Sequence, residues 1–389
     1  STMPEIQRSN LSNVILTLKA LGISDVIAFE FLDKPDPLLF VQAMKHLCLL
    51  GALDEDGKLT ALGRQMSLFP LDPSYSKMLL TGLEYQCEDE MATLIAMMSV
   101  ENLFYRPAKK NQQESAEEKR RELYQEVEID QEDAVYAGDH IFLLHMYNNW
   151  RNSRHPRQFC DEYFIHSRHM EECHEIKKQL FDIIEQHKLQ SHHEQKAREN
   201  AVPKVHPNAS KLERIARCLC SGLFMNIAKK VQTHRKPNPK DKNKETKEKP
   251  HSSSEYTYLV LNKNQITFPH PQSAVLLGKQ AFPEWVVFGQ LVSTTKVFIR
   301  LIFGIKYDWV AAFIGENAPK PDVNRLIGRD AKEILEAFSA QAQKNKASNP
   351  AEDAELQQKF ARKNDDSSIQ AARERYLQRK QASAKPQKK

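Results

Sequence analysis

Apolar positions recur at helical spacing through the first three-fifths of the chain and at a spacing of two further on. Ile6, Leu11, Val14, Ile15, Leu18 and Leu21 follow a 3.6-residue period, with Pro4 near the first turn and Gly22 as the stop. A short apolar stretch at residues 26–31 follows. Pro35 and Pro37 then open a second helix whose buried stripe is Leu38, Val41, Met44, Leu47 and Leu50. Residues 52–59 read as two strands around the Asp56-Gly57 turn. Helix, helix and wing predict a winged-helix module over residues 1–66. Such a module reads DNA through its second helix or docks protein. That helix offers only Gln42, Lys45 and His46 for reading bases, and the wing is acidic, which favours docking.

Phe69-Pro70-Leu71-Asp72-Pro73 is a rigid hinge. Helical pattern over residues 75–85, 89–100, 139–149, 161–188 and 211–227 predicts a bundle within residues 67–222, interrupted by a polar stretch at 109–133. From residue 256 the period becomes two. Short β-rich runs at 256–261, 265–268, 285–292 and 296–303 predict a small barrel within residues 223–314, closed by a helix at 308–314. The predicted fold class is therefore multidomain and mainly α, with one small β-barrel and a charged extension over residues 315–389.

Charge changes this picture locally. The formal total is only +5, yet residues 368–389 carry seven Lys/Arg against one acid and residues 233–254 seven against three. The rest of the chain is slightly acidic, so basic contacts with phosphate belong to a tail and an insertion. The insertion, rich in Lys, Pro, Asn and Ser, is expected to be disordered. In the tail, Ser367 and Gln370 have capping-box spacing, and Ile369, Ala372 and Tyr376 with Arg373 and Lys380 outline an amphipathic helix that competes with a solvated charged helix.

Six dispersed cysteines fit free thiols in a reducing compartment. No apolar run reaches the ~18 residues a membrane span needs. The start, Ser1-Thr2-Met3-Pro4, is expected to be a cut within a longer protein. A phosphate-cradling Gly-x4-Gly-Lys-[Ser/Thr] loop is missing: five residues, not four, stand between Gly51 and Gly57, and Lys58 is followed by Leu59. No Asp-Glu-x-His/Asp box is present either, so these residues alone do not assemble a common NTP-hydrolysing site.

Several segments then carry a resemblance. Residues 4–11 (Pro-Glu-Ile-Gln-Arg-Ser-Asn-Leu), Leu62-Gly63-Arg64 with the hinge, residues 98–107 (Met-Ser-Val-Glu-Asn-Leu-Phe-Tyr-Arg-Pro), Ser221-Gly222-Leu223-Phe224, His270-Pro271 and Thr294-Thr295-Lys296 resemble, in this order, the C-terminal region of DEAH-box RNA helicases. The resemblance spans residues 4–314. It implies a winged helix, a helical ratchet and an OB-fold, packed against two RecA-like domains that bind ATP and Mg²⁺ and precede these residues. It also implies single-stranded RNA as ligand, those RecA-like domains as partners, an activator protein on the winged helix, a nuclear or cytoplasmic place and no membrane. No cofactor is expected in these residues themselves, and they are expected to be inactive alone. Residues 362–380 are more similar to a less characterised DEAH-box subgroup than to the core splicing helicases. The competing readings are a protein-interaction adaptor with incidental RNA affinity and a DNA-binding winged-helix regulator.

For RNA contact, Lys296, Phe298 and Arg300 alternate with Val297, Ile299 and Leu301, so one strand face combines cation, ring and cation while the other enters the core. Packing of Phe298 against a neighbouring domain is the equal alternative. Asn102, Tyr105 and Arg106 are candidates for a channel wall or for interdomain packing, and the resemblance adds His270 and Thr295. His166, His169 and Cys173 share a helical face, with His174 and Cys218/Cys220 as other donors; an ordinary polar face is favoured over zinc, and no catalytic residue is assigned.

Overall fold

In the computed structural model the structure describes residues 11–29, 31, 36–127, 129, 131–191, 209–231, 256–277, 282–311 and 320–328. The predicted insertion at 233–254, the tail beyond 328 and the start of the first helix, including Pro4 and Ile6, lie outside them. Two helices, α1 (Leu11–Ala20) and α2 (Pro37–Leu49), open the chain. Asp36 caps α2 by accepting the Leu38 N–H at 2.7 Å. The wing is smaller than predicted, since one bridge between Leu53 and Leu59 replaces two strands. Asp54 Oδ1 accepts the N–H groups of Asp56 and Lys58 (3.0 and 2.8 Å) and folds the turn on a side chain instead of a ladder.

Helix α3 (Ala61–Met66) leads through the hinge to α4 (Pro73–Glu84) and α5 (Glu88–Ser99). Three acids, Glu88, Asp89 and Glu90, occupy the first turn of α5, where the helix dipole favours them. The polar stretch predicted at 109–133 is instead mostly helix, α6 (Lys110–Gln125), which buries only Ala116, Leu123 and Tyr124. α7 (Asp139–Asn152) follows. The helix predicted at 161–188 is two, α8 (Pro156–Glu162) and α9 (Ser167–Ser191), broken at Phe164, whose φ of 56° no helix continues. α10 (Lys211–Leu223) starts on an N-cap in which Ser210 Oγ accepts the Glu213 N–H at 3.1 Å.

The helix predicted to run to residue 227 ends at Leu223, and a strand that was not predicted begins at Ile227. β1 (Ile227–Val231), β2 (Thr257–Val260), β3 (Gln265–Pro269), β4 (Trp285–Ser293) and β5 (Val297–Gly304) close a barrel in the order β1-β2-β3-β5-β4. All pairings are antiparallel except β3 with β5, where Phe268 faces Phe298. The barrel interior is filled by Tyr258, Val286, Phe288, Ile299 and Ile302 among others. In place of the predicted closing helix stands a short 3₁₀ turn, Tyr307–Trp309; residues 312–314 lie outside the described set.

The larger core runs without a break from Leu11 and Ile15 through α4, α5, α7 and α10 to Phe303 and Val310. Winged helix, bundle and barrel thus share buried surface. The bundle-to-barrel joint is partly backbone: Gly138 bridges Phe303, and the Gly304 N–H donates to the Ala137 carbonyl at 3.1 Å. Tyr136 stacks between Phe303 and Trp309, with centroids 6.5 and 5.7 Å away. Finally, residues 323–327, predicted as part of a charged extension, form helix α11 (Val323–Ile327), which packs on α2.

Candidate nucleic-acid interface

Asp139, the first residue of α7, is the buried pivot between bundle and barrel. Its carboxylate accepts Ile302 N–H (2.8 Å) from β5, Ser273 O–H (2.8 and 3.0 Å) and Ala274 N–H. Burial pushes its pKa up, while these hydrogen bonds and the Arg120 charge pull the other way. The next residue, His140, is fully buried edge-on to Phe303, and burial brings its pKa down to about 4.

Above this pivot the bundle and barrel leave an open cleft of about 250 Å³, lined by Asn102, Arg120, His270, Gln290, Arg300 and Leu301 among others. A second cleft, about 400 Å³, lies alongside and is lined by Tyr105, Arg106, Arg121 and Pro271. Phe104, Arg120 and Gln272 border both. Arg120 is therefore the dividing post. Its guanidinium sits 4.3 Å from the Phe104 ring centroid and donates to the Gln272 carbonyl at 2.7 Å, while its Nε is sealed from solvent without a partner. Burial lowers its pKa from an arginine's ordinary value, with Asp139 and Glu117 opposing, and the group stays a cation.

His270 is held from both sides. Its N–H donates to Ile299 (2.9 Å), and its Nδ1 accepts the Gln272 N–H (3.2 Å), which leaves the ring proton on Nε2. Burial, then the charges of Arg300 and Arg120, lower its pKa, so the ring is a neutral donor near pH 7. Asn102 and Leu301 both have left-handed backbones, φ 55° and 56°. Leucine seldom adopts this conformation, and here it swings the side chain over Gly289, where a β-carbon would stand 2.8 Å from Leu301 Cδ1.

Asn102, His270 and Arg300 are thus brought to one cleft, and Tyr105 and Arg106 to its neighbour. Tyr105 is fixed by its N–H donating to Phe164 (3.0 Å) and by ring contacts with Phe164 and His166; Arg106 donates to Gln113 at 3.2 Å. Thr295, Lys296 and Phe298 line neither cleft: they sit on the β4–β5 turn and the first part of β5. Lys296 Nζ lies 4.7 Å from the Phe268 centroid, and Phe298 contacts both Phe268 and His270. The predicted alternation along β5 fails at Leu301, beyond which Ile302 and Phe303 are both buried. The sequence reading missed Arg120. Its signal was available, since Ala116, Arg120, Leu123 and Tyr124 stand at i, i+4, i+7 and i+8.

Of the donors weighed for zinc, His166 and His169 stand in ring contact, with centroids 4.8 Å apart, while the others are engaged elsewhere. Cys173 is buried in the core, His169 contacts the Asn102 carbonyl at 3.0 Å, His174 the Tyr147 hydroxyl at 2.8 Å, and Cys218 Sγ lies 3.5 Å from Cys87 Sγ. Among the described residues no three His, Cys, Asp or Glu side chains are grouped to hold a metal ion. His46, offered above for base reading, instead bridges Ser12 and Ser74 hydroxyls at 3.3 Å each. Among the described residues no helix is long and apolar enough to cross a membrane.

A winged helix, a helical body and a closed five-stranded barrel in this order define a helicase-associated region. Family models agree: a winged-helix helicase-associated (HA2) domain matches residues 43–71, a ratchet-like HA2 domain residues 72–143, and an oligonucleotide/oligosaccharide-binding fold residues 215–316. Among similar proteins, the pre-mRNA-splicing factor ATP-dependent RNA helicase prp22 of Schizosaccharomyces pombe is 34% identical over 316 residues, covering 80% of this chain and 22% of that protein. The protein named "Probable ATP-dependent RNA helicase DHX40" is 31% identical in Rattus norvegicus and in Homo sapiens, covering 97% of this chain and 44% of each relative. The chain is a C-terminal helicase region of the DEAH-box RNA helicase type, and it spans less than half the length of these relatives.

Proposed function

We propose that this region forms one wall of a single-stranded RNA channel and couples ATP hydrolysis in RecA-like domains, outside these residues, to strand movement. Those domains would bring ATP and Mg²⁺. The observation that carries the reading is the cleft between bundle and barrel, where Arg120, Arg300 and the neutral donor His270 converge beside Asn102. Cations there suit phosphates. Nearer the start of the same strand, β5, Phe298 with Lys296 offers a flat face and a charge, the pairing a sequence-tolerant site needs. The similarity to a protein named as a pre-mRNA-splicing factor supports a role in RNA processing in the nucleus. An activator protein on the winged helix belongs to the same reading.

The test is Lys296→Ala with Arg300→Ala in the full chain, followed by single-stranded RNA binding across a salt series. Affinity should fall about equally for unrelated sequences, and the slope of log K against log salt should lose ~0.7 per phosphate contact removed. An unchanged affinity and slope in the folded double variant would refute the channel-wall assignment.

A further inference from the structure

The segment after the barrel returns to the first module of the chain. Helix α11 is only five residues long, yet it is closed at both ends: Asp322 caps it by accepting the Asn324 and Arg325 N–H groups, and Gly328 at φ 72° ends it. Its Leu326 is 2% exposed and belongs to the main core. The neighbouring Arg325 forks across the wing turn, with Nε 2.7 Å from Asp56 and Nη1 2.5 Å from Glu55. On the receiving side, Gly57 has φ 72°, and a β-carbon there would stand 2.1 Å from the Leu326 carbonyl oxygen and 3.4 Å from Met44 of α2. The wing turn is therefore shaped by a residue that lets α11 approach. Its acidic pair, which makes the winged helix unsuited to nucleic acid, meets the one arginine of α11.

We propose that α2 and the wing turn form a docking groove for a short capped helix bearing adjacent arginine and leucine, and that the chain's own α11 is its occupant. The seat has two unequal parts. Leu326 supplies the anchor. The arginine fork supplies register and selectivity, because Arg325, Glu55 and Asp56 are 53%, 76% and 46% exposed and their attraction is screened by salt. Bound in cis, α11 ties the end of the barrel module to the winged helix. Any other ligand of this groove has to displace it.

The test uses the full chain and hydrogen exchange. The Leu326 and Gly328 amides donate to the Asp322 and Asn324 carbonyls, so their exchange reports the docked helix. Arg325→Glu should speed exchange at these amides at least tenfold and leave the Ile302 amide in the barrel unchanged. The triple swap Arg325→Glu, Glu55→Lys, Asp56→Lys should restore protection. Leu326→Ser should release the segment whatever the charges. Unchanged exchange in both single variants, or failure of the triple swap to restore protection, would overturn the groove. Protection that rises with protein concentration alongside a dimer would overturn the assignment to the same chain.

Discussion

Asp139 Oδ2 accepts the backbone N–H of Ile302 at 2.8 Å, a hydrogen bond from strand β5 of the barrel to the head of helix α7 across 163 residues of sequence. The same carboxylate holds Ser273 and Ala274, so one side chain collects donors from two barrel segments directly beneath the cleft. Replacing it by alanine strands three donors in a dry joint. Asp139→Ala is expected to cost ~3 kcal/mol or more, and Ser273→Ala, which removes one donor, ~1 kcal/mol. Urea unfolding at pH 7 measures both; a loss below 1 kcal/mol for Asp139→Ala would mean that the joint rests on apolar packing and its backbone bonds without this carboxylate.

His140 sets a pH dependence whose sign follows from burial. Its folded pKa, about 4, lies below the ordinary 6.5, so between these values the unfolded chain takes up a proton that the folded chain does not. Its contribution is complete above pH 6.5 and is lost as pH falls toward 4, by about 3 kcal/mol at most. Chemical unfolding at pH 7 and pH 5 should show a smaller difference in His140→Leu than in the unaltered chain. Asp139 and every other titratable group are common to both proteins, so the comparison isolates this ring.

Elements with a strong apolar stripe or a clear alternation were legible in the sequence. Strands β2 to β5 fall within about two residues of their expected bounds, because Tyr258, Val260, Phe288 and Ile299 mark an inward face at period two. Helix α6 was only faintly legible: Ala116, Leu123 and Tyr124 are its buried positions on sixteen residues, a helical spacing too sparse to stand out, and tertiary contact through Arg120 reinforces it. Strand β1 was not predicted, because Ile227 reads as the last apolar position of the preceding helix, and only the pairing of Ala228 with Val260 and Val286 shows the change. The candidate site was half legible. Asn102 and His270, from the motifs, and Arg300, from the alternation along β5, do line one cleft, but no spacing along the chain tells that Arg120 divides two clefts or that Leu301 turns left-handed.

That turn makes Gly289 a position with one admissible residue. Leu301 Cβ and Cδ1 would lie 3.0 and 2.8 Å from a β-carbon at 289, so Gly289→Ala must push the Leu301 side chain into the cleft or flatten its backbone. The expected loss is ~1–3 kcal/mol of stability, as for other overpacked sites. A double variant, Gly289→Ala with Leu301→Ala, should recover part of it by removing Cδ1. Additive losses in thermal unfolding of the two singles and the double would show that the residues do not interact.

The ring of Phe298 separates packing from recognition. It faces Phe268 across the parallel pair β3–β5, with centroids 6.4 Å apart, and meets His270 edge-on at 5.8 Å; it is half-buried, so part of the ring stays open to solvent. Alanine would confuse the two roles by opening a void beside both rings. Leucine keeps most of the volume and removes the flat face. Phe298→Leu is therefore expected to fold with a loss under ~1.5 kcal/mol. Its single-stranded RNA affinity should fall by ~1–3 kcal/mol, roughly 5- to 150-fold, with little dependence on sequence. The salt slope should stay unchanged, because no phosphate partner is lost, in contrast to Lys296→Ala, whose cation sits over Phe268. Fluorescence anisotropy with two unrelated oligonucleotides at two salt concentrations measures all three quantities. Full RNA affinity in a folded Phe298→Leu protein would assign the ring to packing against Phe268 and His270, and would leave RNA contact to the cations of the cleft.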